Sequence, residues 1–67
     1  MNNNIPIFIR LHSVGVEGMI NVNNINGIVP YSDTITHIYV NNREEPLCVD
    51  ESYKEVQKKL LNVAIIL

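Results

Sequence analysis

A single cysteine, Cys48, stands among 67 residues, so no disulfide can form within the chain. A cysteine-rich zinc site is excluded for the same reason. Tryptophan is absent, and the aromatic residues are Phe8, Tyr31, Tyr39 and Tyr53. So thin an aromatic content shows no stacking platform for nucleobases. The three glycines, Gly15, Gly18 and Gly27, form no phosphate-cradling loop. Basic residues number five against seven acids, for a net charge of −2. This balance gives no strong attraction to nucleic acid or to an anionic membrane. No apolar run approaches the roughly 18 residues of a membrane span. The start, Met1-Asn2-Asn3-Asn4, lacks the basic segment of a signal peptide, and Arg10 interrupts the first apolar run. A cytoplasmic protein without a membrane span is the resulting expectation.

What is present is a small folding unit. Hydrophobic residues make up 46 % of the chain, as in an ordinary globular domain. Residues 1–67 read as a single domain. A chain of this size buries only about 60 % of the surface its unfolded form exposes. With no disulfide to help, tight packing or self-association must compensate. Ten asparagines and ten isoleucines are interleaved in a regular apolar pattern. Codon bias in an AT-rich genome explains that excess better than a prion-like composition does.

Ile5, Ile7, Ile9 and Leu11 alternate with Pro6, Phe8, Arg10 and His12, the period of a half-buried strand. Ser13 to Gly18 reads as a turn. Met19, Ile20 and Val22 form a second strand, ended or kinked by Asn23 and Asn24. Ile25, Ile28 and Val29 form a third, in which Gly27 suggests a bulge or a tight bend. Ile35 to Val40 is the strongest strand, with Thr34, Thr36, Ile38 and Val40 on one face and Ile35, His37 and Tyr39 on the other. Asn41-Asn42 tolerates left-handed backbone and turns the chain into a last strand, Leu47 to Val49.

The helix has a start signal. Ser52 stands three residues before Glu55, the spacing of a capping box, with Asp50 as a competing N-cap. From Tyr53 to Ala64 the chain is amphipathic. Tyr53, Val56, Leu60, Val63, Ala64 and Leu67 share one stripe. Leu61, Ile65 and Ile66 widen it, so the tail either tucks into the domain or packs on another subunit. Leu61, Ile65, Ile66 and Leu67 are therefore candidate interface residues. Lys54, Lys58 and Lys59, with Arg43, are the candidate basic surface. The expected fold is α+β: an antiparallel meander of four or five strands with one C-terminal helix across a face. Its expected core is Ile9, Leu11, Ile20, Val22, Ile28, Ile38, Val40, Leu47, Val49, Val56 and Leu60.

Catalytic patterns are thin. His12 and His37 with Cys48 or Asp50 match no metal-ligand spacing, so no metal site and no cofactor are expected. Cys48 lies among acids with no base beside it, which reads as a small buried hydrophobe and not a nucleophile. Glu44, Glu45, Asp50 and Glu51 fall in a turn and a helix start, where acids serve solubility and capping. No Ser–His–Asp arrangement is visible, and the chain is expected not to be an enzyme.

The order of features carries a family resemblance. Phe8-Ile9-Arg10-Leu11-His12 is followed by Ile20-Asn21-Val22-Asn23-Asn24-Ile25 and Ile28. Thr36-His37-Ile38-Tyr39-Val40 comes next, and then Val49-Asp50-Glu51-Ser52-Tyr53-Lys54-Glu55-Val56. From Phe8 to Leu60 this resembles the small FlbD-type proteins of flagellar operons, also described as swarming motility proteins. Ser13-Val14-Gly15-Val16 stands where that family has a Leu-Asn-Gly turn. The resemblance implies strands closed by one helix and a regulatory or interaction module, and it supplies no catalytic residue. The resulting expectation is a non-catalytic interaction module that self-associates or meets a protein partner. The alternatives are a nucleic-acid-binding regulator using the basic helix face, or a phage or mobile-element accessory protein that blocks a host factor.

Overall fold

A computed structural model describes residues 6–13 and 15–63. Five strands and one helix follow in order: β1 (Phe8–Ser13), β2 (Val16–Asn21), β3 (Ile25–Pro30), β4 (Thr36–Val40), β5 (Leu47–Val49) and α1 (Tyr53–Val63). A single 3₁₀ turn, Val22–Asn24, joins β2 to β3. The fold is α+β, with antiparallel strands and the helix packed on them. The strands divide between a two-stranded sheet, β1-β2, and a three-stranded sheet, β3-β4-β5.

Local chemistry accounts for each junction. The first turn is tighter than Ser13 to Gly18, because Ser13 already pairs with Val16. Gly15 takes φ +76°, backbone that a residue without a β-carbon adopts freely. The Asn21 side chain accepts the Asn23 amide at 2.9 Å and so caps the 3₁₀ turn. That turn re-aims the chain from one sheet to the other, leaving Val22 just beyond β2. The β3–β4 register shifts between Ile25 and Gly27, an irregularity where the sequence suggested a bulge or bend. In the next turn, Ser32 Oγ accepts the amides of Thr34 at 3.3 Å and Ile35 at 3.1 Å. Asn42 carries the left-handed φ of 64° in the β4–β5 loop.

The helix begins with the capping box. Glu55 donates its amide to Ser52 Oγ at 3.2 Å, and Ser52 donates its amide to Glu55 Oε1 at 3.0 Å. Asp50 instead donates its own amide to the His12 carbonyl at 2.6 Å, so it serves the sheet and not the cap. Val56, Leu60 and Val63 turn inward.

Ile9, Leu11, Ile38, Val49 and Val56 form the buried centre. Ile20, Val22, Ile25, Ile28, Val40, Leu47, Leu60 and Val63 pack around them. Every expected core residue lies in this cluster, and Ile25 and Val63 join it. Thr36 is also fully buried; its hydroxyl donates to the Glu51 carbonyl at 2.8 Å, which removes the penalty of an unpaired polar group.

Candidate functional site

The outer face of the β3-β4-β5 sheet is the most distinctive surface of the chain. Residues opposite each other in an antiparallel ladder project to the same face. Val29 pairs with His37, and His37 pairs with Cys48, so these three make a row across all three strands. Tyr39, two residues beyond His37, lies on the same face. Tyr31, from the turn after β3, folds back on the row. Its ring stacks on His37 with centroids 4.4 Å apart and planes 14° from parallel. Tyr31 is 67 % exposed, Val29 47 % and Tyr39 38 %. None of the five is an acid, lysine or arginine. An aromatic surface therefore exists where the sequence showed none; it needs the turn at Ser32 to bring Tyr31 over His37.

Cys48 is exposed, which corrects its reading as a buried hydrophobe. In Leu47-Cys48-Val49 all three residues are apolar, and only the pleat turns the middle one outward. His37 and Cys48 are neighbours on this open sheet face, where nothing builds a water-excluded pocket. His12 is exposed on β1, opposite Glu17. Among the described residues, no three His, Cys, Asp or Glu side chains gather as a metal site.

A second cluster sits where β1, the β5–α1 connection and the helix meet. Glu51 Oε1 pairs with Lys59 Nζ at 2.6 Å, and Glu51 Oε2 accepts the His12 amide at 2.8 Å. Lys59 Nζ also donates to the Arg10 carbonyl at 2.7 Å. The Asp50 amide takes the His12 carbonyl, and Ser13 Oγ donates to the Cys48 carbonyl at 2.7 Å. One side of β1 is thus paired with β2, while its other side is closed by a main-chain bond to Asp50 and by the Glu51–Lys59 pair. An ion pair here stands in for a neighbouring strand. Glu51 is a residue that sequence reasoning missed as a hub. The available signal was its spacing of eight residues from Lys59, across the helix start.

Of the four cations expected to form one basic surface, three lie along α1, where Lys58 borders one groove with Lys54 and another with Lys59, and Arg43 stands apart. Lys59 is engaged by Glu51 and Arg10. Lys54 and Lys58 border a shallow groove on the outer side of α1 with Leu61. Arg43 belongs to the β4–β5 loop, where its Nε donates to the Glu45 carbonyl at 3.0 Å. Of the expected interface residues, Leu61 is 58 % exposed. Ile65, Ile66 and Leu67 lie outside the described residues.

Among the described residues, Glu55 is the group whose titration moves clearly. The Ser52 amide holds its carboxyl below the ordinary carboxylate value, helped by the Ser52 hydroxyl, opposed by desolvation, and helped last by the Lys59 charge. That is a helix-cap signature and not catalytic tuning. No helix among the described residues is long and apolar enough to cross a membrane. Comparison with protein families, curated proteins and solved structures returns no match.

Proposed function

We propose that this chain is a non-catalytic interaction module that self-associates through the outer face of β3-β4-β5. The observation carrying this reading is the row Val29–His37–Cys48, with Tyr31 stacked above it and Tyr39 beside it. Tyrosines with exposed rings and a lack of charge are the compositional mark of an interface centre. A face without like charges can meet its own copy across a two-fold axis, the commonest oligomer symmetry. Two such sheets would pack about 10 Å apart. The regulatory role implied by the FlbD-type resemblance is compatible with such a module.

This reading puts the interface on the sheet face, whereas the sequence pointed to the C-terminal segment. Edge pairing of β1 with a second copy is disfavoured, because β1 has β2 on one side and Asp50, Glu51 and Lys59 on the other. The C-terminal segment remains an independent route, and one experiment separates the two. Sedimentation from about 10 to 200 μM compares the full chain, a chain ending at Asn62, and Tyr31→Ser with Tyr39→Lys. The expected result is a dimer in the first two and a monomer in the third. A monomer throughout refutes self-association. A dimer lost only on truncation places the contact in the tail.

The nucleic-acid alternative has less support, because Lys59 is paired with Glu51 and Arg43 lies apart from the helix lysines Lys54 and Lys58. A binder of that kind would show affinity falling steeply with added salt.

A further inference from the structure

A groove of about 440 Å³ runs between the β1-β2 hairpin and strand β5. That volume falls in the range of small-molecule pockets. Its lining reaches the core, since Leu11 and Val49 are buried centre residues and Ile20 and Leu47 pack against them. Gly18 sits opposite Leu11 in the ladder, so a side chain there would project to the same inner face. A β-carbon built at Gly18 would have no heavy atom within 4 Å, and its φ is not left-handed. Backbone strain therefore does not require glycine at this position, yet the missing side chain keeps the groove open.

The electrostatics of the groove are one-sided. Arg43 is the charged residue in its lining, and no acid shares it. Among the described residues no carboxylate lies within ion-pair distance of Arg43. Its Nε is used by the Glu45 carbonyl, which fixes the guanidinium while occupying one of five donors. A mostly apolar groove with one arginine in its lining is complementary to an apolar chain ending in an anion.

We infer that this groove binds an amphipathic carboxylate, a free aliphatic acid of roughly eight to twelve carbons on the scale of the groove. The chain lies along Leu11, Ile20 and Leu47, and the carboxylate meets Arg43. Apart from Cys48, the site shares no residue with the outer sheet face, so it stands or falls independently of self-association.

The test is an amide-resolved NMR titration of the full chain with octanoate, decanoate and dodecanoate below their micelle concentrations. Decanol and decyltrimethylammonium serve as neutral and cationic controls. Saturable shifts are expected at Leu11, Gly18, Ile20 and Leu47, with affinity rising about fourfold per methylene. Arg43→Gln should weaken decanoate about tenfold or more and leave decanol unchanged. Gly18→Leu should abolish binding of both by filling the groove. Should that variant fail to fold, the exposed Arg43→Gln decides alone. Equal affinity for decyltrimethylammonium and decanoate overturns the inference. So do shifts centred on Tyr31, His37 and Tyr39, or decanoate affinity indifferent to Arg43.

Discussion

Replacing Glu51 by alanine tests the claim that an ion pair closes the second side of β1. The carboxylate is only 11 % exposed and accepts both the Lys59 ammonium and the His12 amide. Hydrogen bonds to charged groups contribute about 1.5–3 kcal/mol each. Water can replace part of this at His12, which is exposed, and Lys59 keeps the Arg10 carbonyl. A net loss of about 2–3 kcal/mol is expected, well above the roughly 0–1 kcal/mol of a surface pair. For so small a domain each kcal/mol moves the melting midpoint by about 4–8 °C, so Glu51→Ala should melt roughly 10–20 °C early. Glu51→Gln keeps an acceptor for the His12 amide and should lose about half as much. Lys59→Met keeps the packed stem and removes the charge. Urea unfolding of both single variants and the double variant gives the coupling, expected at about 1–2 kcal/mol. Glu51→Ala within 0.5 kcal/mol of wild type, or a coupling below about 0.3 kcal/mol, refutes the reasoning.

Three further outcomes are checkable. Glu55 binds its proton less readily folded than unfolded, so its stabilising contribution is complete above the ordinary value of about 4.3 and is lost as pH falls through the lower folded value. Glu55→Gln should therefore flatten the acid limb of a stability-against-pH profile, and an unchanged limb would contradict the cap. Thr36→Val keeps shape and strand preference but strands the Glu51 carbonyl, and should cost about 1–2 kcal/mol by urea unfolding. A variant as stable as wild type would remove that bond from the account. Cys48 should react with a thiol reagent in the native state as fast as in urea, apart from any shielding by self-association. A slow reaction of the dilute monomer would return it to the interior.

Much of the architecture was legible because it is written in short-range chemistry. The alternation from Ile35 to Val40, the irregularity at Gly27, the left-handed Asn42 and the Ser52–Glu55 box each depend on residues a few positions apart. The illegible parts depend on distant ones. Nothing local says that β1 turns its free side to Asp50 and Glu51, nor that five strands divide into two sheets at Val22–Asn24. Lys59 has the pattern of a solvated helix lysine, and only the fold brings it both Glu51 and the Arg10 carbonyl of β1. Leu47-Cys48-Val49 is too short and too uniformly apolar for period to reveal which residue faces outward. Tyr31 looks like a loop residue until the turn at Ser32 lays it over His37.

The closure of β1 by side chains also bears on the order of folding. The contacts that complete it reach 39 residues ahead, from His12 to Glu51, and 49 residues ahead, from Arg10 to Lys59. The β1-β2 ladder, in contrast, starts across the turn from Ser13 to Val16. Closing the longer loops costs more chain entropy, so the hairpin can form while its far edge is still bare. In that interval the amide of His12 and the carbonyls of Arg10 and His12 can template another chain. Docking of α1 is then the event that ends the interval, which makes the helix a guard against mispairing as well as a cover for the core. Low φ-values at Lys59 beside high ones in the hairpin would record that sequence, and equal values at both would deny it.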